Sequence, residues 1–595
     1  MAESPLAGVE LHLVQSLDDA LAMKRWAGER RETPLGVDIE TTGLDRLRDR
    51  VRLIQLGDKR HGWAMPDIWA GAAVEIMREY EGEFAGHNIF AFDRPHIARS
   101  LGYEIPWHKI HDTMFLAALV NPLVPKGLKP LSSRLIDRNA AAGQRLLDDG
   151  MKANKWTWAT VPYDYPPFWS YGALDPVLTT HLFEILYPQV HGSADEAYDL
   201  ERAVAPLLGG MMDRGLLVDQ SYARAKISEL REYEVSVRSW LKSAYGIDSL
   251  MSARQIAAAL AAAGVEIAGT TKTGLPSVTK EVLGGISKSQ DAPEAARELS
   301  SAILRARHAD KICGTYLESF LELMDSDGAI HPSINQLAAR TGRMTCNSPN
   351  LQNLPRDDRV VRGAFRPRSE FAYISCDFSQ VEMRIFASLS EDAGLIEAFR
   401  HADETGTDFY AVLATELFGE PVSKKSPKRQ NVKSASYARI FGAGLAKMAA
   451  TAGVSPEQMK PVNDALGQRY PGMNSLPGRI IAQARAMQSR GEQPHVRTST
   501  GRYLPCDPDR LFSLVNYLCQ GSAAEQLKRA ITNVASAGLA EYMLVPVHDE
   551  ILFEIPLSQV DEMKRVIVEA MTDNETFSVP ITCDASVMTE RWVKS

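Results

Sequence analysis

The sequence predicts a multidomain protein in which a mixed α/β unit precedes a larger α+β region. The chain has 595 residues, more than one domain usually contains. Up to about residue 190, strand-like runs at 35–39, 51–56 and 83–87 alternate with helical stretches. From about residue 196 long helical segments dominate, interrupted by strand signals at 371–377 and 543–556. The intervening run HGSAD, residues 191–195, is therefore predicted to link two units.

The composition is that of an ordinary soluble globular protein, with 45% hydrophobic and 24% charged residues. The net charge of −9 argues only weakly against a nucleic-acid partner, because such binding follows local patches. The six cysteines are scattered without a CxxC pair, which predicts reduced thiols and argues against a disulfide framework or a cysteine-based zinc site. No secretory leader and no membrane-spanning run is recognisable.

The first strand of the N-terminal unit carries two carboxylates. Asp38 and Glu40 are two residues apart, so their side chains share one face of the strand. Asp93 precedes a predicted helix, and Tyr171 and Asp175 lie four apart on another helix. Asp38 and Glu40 alone could be surface charges. Four carboxylates and a tyrosine together can instead hold two metal ions and orient a water for attack on a phosphodiester.

A second pattern lies on one helical face of the C-terminal region. Arg429, Lys433, Tyr437 and Phe441 are spaced by four residues, so the face presents two cations and then two aromatic rings. This order suits a nucleoside triphosphate, with the cations on the phosphates and the rings beside sugar and base. A solvated basic helix that happens to carry two rings is the alternative.

Two further aspartates are predicted to meet at one sheet edge. Asp377 ends an apolar strand, and Asp549 lies at the break of a predicted hairpin. If these strands pair, both carboxylates emerge together and would repel each other unless cations lie between them. Two Mg²⁺ ions would neutralise them and could activate an attacking oxygen. A lone aspartate capping the hairpin turn is the simpler interpretation of Asp549.

Residues 35–190 resemble the DnaQ-like, RNase H-fold 3′→5′ exonuclease domain. DIE at 38–40, NxxxFD at 88–93 and YxxxD at 171–175 occur in the family's order, and HDT at 111–113 and GLKPL at 127–131 also recur there. The resemblance implies that Asp38, Glu40, Asp93 and Asp175 are metal ligands. It also implies that Tyr171 and Glu40 position the attacking water.

Residues 200–595 resemble the polymerase region of family A, Pol I-like, DNA polymerases. Five segments carry the resemblance in the family's order: TGRMTCNSPNLQN (341–353), SCDFSQVEMR (375–384), RQNVKSASYARIFG (429–442), VNYLCQGSAAE (515–525) and PVHDEILFE (546–554). The resemblance implies catalysis by Asp377, Asp549, Lys433, Arg429 and Glu550. It implies dNTP binding by Arg429, Lys433, Tyr437, Phe441, Gln380, Glu382 and Tyr410, with Glu382 as the steric gate against ribose. It implies DNA contacts by Arg343, Gln352, Asn353, Asn516, Gln520 and His548.

The two resemblances together predict an exonuclease domain over residues 1–190 and a right-hand polymerase domain over 196–595. The thumb would cover about 225–330, the palm about 331–390 and 510–595, and the fingers about 391–509. Each active site would take two Mg²⁺ ions, for which Mn²⁺ can substitute. The expected partners are primed template DNA and dNTPs, with no membrane. We expect a phage-type monomer in the host cytoplasm, without a 5′-nuclease domain, and leave a replisome or processivity partner open.

Two rival interpretations come from other functional classes. In one, the chain is only a nuclease and its C-terminal half is a binding module, against which Asp377, Lys433 and Asp549 together argue. In the other, the chain is a structural DNA-binding protein in which both sites are dead. The complete carboxylate sets argue against this second rival.

Overall fold

The N-terminal half is built on a six-stranded sheet. The computed structural model describes residues 4–30, 34–271, 273–355 and 358–593, so the outermost ends of both predicted domains lie outside it. The strands are β1 (Glu10–Leu13), β2 (Leu35–Thr41), β3 (Val51–Gly57), β4 (His61–Pro66), β5 (Phe84–Gly86) and β6 (Ile110–Asp112). They lie in the order β1–β4–β3–β2–β5–β6, with β2 central. The three predicted strands are confirmed as β2, β3 and β5.

Within the described ranges, seven α-helices accompany this sheet. They are α1 (Leu17–Gly28), α2 (Ala70–Glu79), α3 (Asp93–Leu101), α4 (Thr113–Val120), α5 (Leu128–Leu135), α6 (Ala142–Asn154) and α7 (Pro166–Val190). Apolar side chains of the strands and helices form one core between the layers, including Val37, Leu56, Phe84 and Leu182.

Helix α7 lies close against the middle of the sheet because two glycines leave room for its backbone. A Cβ at Gly36 would stand 2.2 Å from the carbonyl oxygen of Pro176, and one at Gly62 would stand 1.9 Å from that of Ala173. Any larger residue at either position would push the helix away. The close approach brings Asp175 of α7 toward the carboxylates of β2.

A helical region follows the predicted linker. Its helices are α8 (Asp195–Arg214), α9 (Gln220–Tyr245), α10 (Ala253–Ala262), α11 (Lys280–Lys288), α12 (Glu294–Lys311) and α13 (Glu318–Leu323). Four residues separate the end of α7 from the start of α8, which packs against α4. Helices α9 to α12 enclose a small apolar core of their own, which includes Leu241, Ile256 and Ile303. The predicted thumb, about 225–330, begins within α9 of this region and stays a prediction.

The next elements are short strands, two helices and the first strand of the second large sheet. They are β7 (Leu216–Leu217), β8 (Ala329–Ile330), β9 (Ser333–Asn335), β10 (Thr345–Asn347), α14 (Arg359–Arg362), β11 (Phe371–Phe378) and α15 (Val381–Ser390). Strand β7 lies between α8 and α9, and the strand of the large sheet is β11. The predicted fingers contain α16 (Ala393–Thr405), α17 (Phe409–Phe418), α18 (Pro427–Ile440), α19 (Leu445–Ala452), α20 (Pro456–Arg469), α21 (Gly472–Ser489), β12 (His495–Arg497) and β13 (Tyr503–Pro505).

The C-terminal part completes a four-stranded antiparallel sheet. It contains α22 (Ser513–Val534), β14 (Met543–Val547), β15 (Glu550–Pro556), α23 (Val560–Met571) and β16 (Cys583–Met588). The strand order is β14–β15–β11–β16, so the predicted pairing of β11 with the hairpin is confirmed. Strand β16 was not predicted, because its sequence CDASVM has no long apolar run and its middle residues are exposed or half-buried.

No helix within the described ranges combines the length and the apolarity needed to cross a bilayer.

Candidate active sites

The first candidate site lies where β2 meets α7. Carboxylate oxygens of Asp38, Glu40 and Asp175 lie within 4.8 Å of one another. Asp93, the first residue of α3, is buried near them. The structure therefore brings together the four carboxylates that the sequence separates by up to 137 positions, as their residue numbers show.

Burial and mutual repulsion make the charged forms of these carboxylates costly. Burial, reinforced by neighbouring carboxylates, raises the pKa of Asp38 and of Glu40 well above the ordinary range. Burial likewise raises the pKa of Asp93 to about 8, and it raises the pKa of Asp175 even though Lys129 opposes the shift. A group of carboxylates with raised pKa values favours the arrival of a cation.

Lys129 supplies such a charge from within the chain, and we had not predicted it as a site residue. It lies in the first turn of α5, forms an ion pair with Asp175, and its ammonium lies 4.1 Å from the ring centroid of Tyr171. Its only sequence signal is its place in the GLKPL segment. The buried Oδ1 of Asp93 has no hydrogen-bond partner among the described residues. An internal cation among the carboxylates and an unused oxygen ligand both fit a site for hard divalent cations.

The second candidate site lies at one end of the C-terminal sheet. Asp377 of β11 is opposite Glu550 of β15 and opposite Asp584 of β16. Asp549 occupies the two-residue turn between β14 and β15, and its carbonyl accepts a hydrogen bond of 3.0 Å from the amide of Phe378. Asp377 and Asp549 are thus neighbours at the sheet end, as predicted from the strands. Asp584, a fourth acidic residue at this sheet end, was not predicted because it belongs to the unrecognised strand.

Glu550 is buried and is held by two side chains. Its carboxylate accepts a hydrogen bond of 3.2 Å from Arg362 and one of 2.8 Å from the Ser375 hydroxyl. These contacts hold Glu550 beside Asp377, its partner on the neighbouring strand. This position suits a supporting role for the Glu550 carboxylate.

Helix α18 presents the predicted face of cations and rings. Its N-cap, Ser426, accepts a hydrogen bond from the amide of Lys428. The helix begins at Pro427, two residues before Arg429. The guanidinium of Arg429 donates two hydrogen bonds, of 2.9 and 2.7 Å, to the carboxylate of Asp408. Asp408 caps α17 and is the counter-ion that sequence reasoning missed.

Tyr410 lies in the core beneath both cations. Its side chain is 1% exposed, and its ring centroid is 5.3 Å from the Arg429 guanidinium and 5.9 Å from the Lys433 ammonium. The Tyr410 ring thus lies against both cations of the face. Its predicted contact with the dNTP stays a prediction.

The two rings continue the face toward the end of the helix. The centroids of Tyr437 and Phe441 are 5.8 Å apart, and both rings are half-buried. Phe441 is the C-cap residue, one position beyond the last helical residue. Gly442 follows with φ of +73°, and a Cβ there would meet Phe512 of the neighbouring segment at 3.2 Å.

Gln380 and Glu382 link the end of β11 to the site. Gln380 adopts φ of +58° as the N-cap of α15, an unusual conformation for a residue other than glycine. Glu382 forms an ion pair with Arg343. Burial raises the pKa of Glu382, although Arg343 opposes the shift.

A cleft of about 420 Å³ opens beside the sheet end. Among the described residues that line it are Arg343, Gln352, His548 and Asp549. Three of the six predicted DNA contacts, Arg343, Gln352 and His548, thus lie at one opening. Two further predicted DNA contacts, Asn516 and Gln520, are half-buried on α22, one turn apart. The carbonyl of Asn353, the sixth, accepts a hydrogen bond of 3.0 Å from Tyr316.

A buried network of ion pairs contacts the backbone next to this cleft. Glu201 of α8 pairs with Lys528 of α22 at 2.5 Å and also with Arg502, which in turn pairs with Glu525 at 2.8 Å. Lys528 also donates a hydrogen bond of 2.9 Å to the carbonyl of Gly342, the neighbour of Arg343. All four charged side chains are at most 4% exposed.

The comparisons with known proteins identify the family. A family model described as "DNA polymerase family A" matches residues 223–594. The chain belongs to DNA polymerase family A. A second model, described as "3'-5' exonuclease", matches residues 14–191 of this family A polymerase. The chain is thus a DNA-directed DNA polymerase with a 3′→5′ exonuclease domain, which confirms the predicted fold class and domain order.

Several relatives of this polymerase are phage proteins. It is 28% identical over 560 residues to a DNA polymerase of Mycobacterium phage L5, covering 91% of this chain and 89% of the relative. It is 27% identical to that of Mycobacterium phage D29, covering 94% and 93%. It is 30% identical to DNA polymerase I of Pseudomonas aeruginosa over 70% of this chain, but spans only 46% of that relative.

A solved structure shares the fold of the whole family A polymerase. The POL domain of Pol1 from M. smegmatis, in complex with DNA primer-template and dNTP, superposes with a TM-score of 0.80. The similarity covers 98% of this chain and 99% of that one at 23% sequence identity. It establishes the common fold.

Proposed function

We propose that this polymerase adds dNTPs to a primer 3′-hydroxyl at the sheet end and removes mispaired 3′ nucleotides at the β2–α7 centre. The observation that carries the proposal is the convergence of two separate acidic centres. One contains Asp377 and Asp549, and the other contains Asp38, Glu40 and Asp175. A template-directed polymerase with proofreading needs two such centres.

In the synthetic site, the chain would bind the triphosphate along α18. Arg429 suits bidentate contacts to phosphate oxygens. In this structure its guanidinium makes such a two-bond contact with the carboxylate of Asp408. Lys433 would contact the same phosphates and donate a proton to the departing pyrophosphate. Tyr437 and Phe441 would flank sugar and base.

The primer end would lie in the cleft beside Asp549. Arg343, Gln352 and His548 line it and would contact the minor groove, whose acceptors are common to all correct base pairs. We extend this role to Asn353, Asn516 and Gln520 from the family resemblance. Glu382, held by Arg343, would exclude a ribose 2′-hydroxyl.

We also propose two divalent ions per centre, Mg²⁺ with Mn²⁺ able to substitute. When bound, such ions neutralise the carboxylates and supply Lewis-acid activation of the attacking oxygen. Asp377 and Asp549 would hold them in the synthetic centre. Asp38, Glu40, Asp93 and Asp175 would hold them in the exonuclease centre, where Tyr171 and Glu40 orient the attacking water.

We propose domain boundaries of 1–190 and 196–595, with the thumb, palm and fingers at the positions predicted from the sequence. We propose action as a monomer on primed template DNA. The phage source of two relatives supports action in a host cytoplasm.

Wild-type protein on a labelled primed template tests the proposal. With Mg²⁺ and a single dNTP, the primer should lengthen only when that dNTP matches the template base. Without dNTPs it should shorten from its 3′ end, and a phosphorothioate at the terminal linkage should slow this shortening. Extension that ignores the template base, or shortening from the 5′ end, would refute the assignment.

The exonuclease centre should bind Mg²⁺ more tightly as the pH rises. A carboxyl group whose pKa is higher in the folded than in the unfolded state stabilises the folded protein only while it is protonated. The metal-free centre therefore loses stability as the pH rises toward 8, the pKa of Asp93. Proton loss frees the ligands for Mg²⁺. The gain in melting temperature on adding Mg²⁺ should therefore be larger at pH 8 than in mildly acidic buffer. Asp38→Asn should diminish the pH-dependent part of the gain, and an equal gain at both pH values would contradict this prediction.

Tyr437 should govern the selection of the sugar. Its phenol can donate a hydrogen bond near the 3′ position of the incoming sugar, in place of the hydroxyl that a dideoxynucleotide lacks. Wild type should therefore discriminate poorly against ddNTPs, and Tyr437→Phe should discriminate roughly tenfold more strongly. Competition between ddNTP and dNTP on a primed template measures this. The control Tyr503→Phe, on β13, should match wild type, and equal selectivity in wild type and Tyr437→Phe would rule out the role.

A further inference from the structure

Two strands at the edge of the N-terminal sheet carry a histidine pair and a carboxylate on one face. Glu10 and His12 are two residues apart on β1, so their side chains share a face. Strand β4 runs parallel to β1, with His61 opposite Glu10 and Trp63 opposite His12. The cluster shares no residue with either acidic centre, and the functions proposed above do not use it.

The three side chains converge at the spacing of metal ligands. His12 Nε2 and His61 Nδ1 are 3.4 Å apart, and each lies 3.9 Å from Glu10 Oε2. A point equidistant from these three atoms is about 2.2 Å from each, close to the zinc–nitrogen and zinc–oxygen distances of about 2.0–2.2 Å. An ion at this point lies in the plane of the three ligand atoms, so a modest inward shift of the ligands would let a zinc-sized ion sit slightly out of that plane and take a fourth ligand.

The imidazoles are also held in place. The His12 ring stacks on Trp63 with centroids 4.2 Å apart, and the planes of the two imidazoles differ by only 17°. Their side chains are 31% and 26% exposed, so they are restrained yet open to ions from solution. Two imidazoles and one carboxylate favour borderline transition metals, whereas Mg²⁺ prefers all-oxygen sites.

We propose that Glu10, His12 and His61 bind one divalent transition-metal ion of the zinc class, with water completing a tetrahedron. The ion would fasten β1, a four-residue edge strand, to β4. It would stabilise the exonuclease sheet from the edge and take no part in phosphodiester chemistry.

Zinc titration of the full-length protein tests the site. The titration is run against a chromogenic chelator in excess Mg²⁺, which occupies oxygen-only sites. Wild type should bind one equivalent of Zn²⁺ tightly, and His12→Gln and His61→Gln should each weaken binding at least about tenfold. The control His191→Gln alters an exposed histidine that lies 3.1 Å from Asp195 but has no second imidazole beside it, and it should bind as wild type does.

Cu²⁺ in place of Zn²⁺ gives an independent signature. Its electron paramagnetic resonance spectrum should show coupling to nitrogen in wild type, and this coupling should weaken in His12→Gln. Zn²⁺ should also slow amide hydrogen exchange in β1 of wild type, which reports on the fold of each variant as well. Equal Zn²⁺ affinity in wild type and both histidine variants, or a Cu²⁺ spectrum without nitrogen coupling, would overturn the proposal and leave only a hydrogen-bonded histidine pair.

Discussion

Replacing Asp377 with alanine is expected to abolish primer extension while 3′ shortening continues. Asp377 stands between Glu550 and Asp584 at the sheet end and beside Asp549, so no other carboxylate can take its position. Losing one member of a catalytic unit typically costs several orders of magnitude, and we expect extension to fall by on the order of a thousandfold or more. Rates on a labelled primed template, with and without dNTPs, measure both activities.

Asp38→Ala is the matched variant, and the opposite outcome is expected. It removes a carboxylate from the β2–α7 centre and leaves the sheet end untouched, so shortening should be lost and extension kept. If either variant lost both activities while remaining folded, the two-site assignment would fail. Asp584→Asn distinguishes a ligand from a neighbour: retention of most extension would indicate that this exposed carboxylate only contributes charge to the centre.

The architecture was predictable where the sequence repeats a physical pattern. Short apolar runs revealed β2, β3 and β11, and the helical spacing from Arg429 to Phe441 revealed the face of α18. Strand β16 escaped because an edge strand that is half exposed carries too few apolar residues to be recognised. Strand β1 escaped for the same reason, since its four residues are exposed or half-buried.

The site residues divide in the same way. Carboxylates within motifs could be assigned because their spacing has a chemical meaning. Lys129 and Asp408 could not, because each pairs with a side chain distant in sequence. Asp584 could not, because it belongs to the unrecognised strand β16. Tyr410 could be linked to the site only through the family resemblance, because its burial depends on how α17 packs against α18.

Lys528→Met should cause the largest loss of stability of any single substitution in the polymerase half. Glu201 and Lys528 are both fully buried, and their network has two acids and two bases. Removing the ammonium leaves an uncompensated buried negative charge, which typically costs about 3–5 kcal/mol. The carbonyl of Gly342 also loses its hydrogen-bond donor. Because Arg343 follows directly, the KM for primed DNA should rise as well.

The double variant Lys528→Met/Glu201→Gln makes this prediction specific. It restores charge balance, since Arg502 and Glu525 remain paired, so it should be more stable than Lys528→Met alone. Native-state hydrogen exchange in α8 and α22 suits a multidomain chain better than one melting temperature. A double variant as unstable as the sum of both single variants would mean that packing dominates, with charge pairing secondary.

The pH dependence of the same network gives a second check with a defined sign. Burial alone would raise the pKa of Glu201, but Lys528 and Arg502 lower it below the ordinary glutamate value. A carboxyl with a lowered folded pKa contributes stability above its unfolded pKa, and that contribution is lost as the pH falls through the folded pKa. Exchange protection in α8 should therefore fall on acidification in wild type. In Lys528→Met/Glu201→Gln this fall should be smaller, because the carboxyl group that must be protonated is gone.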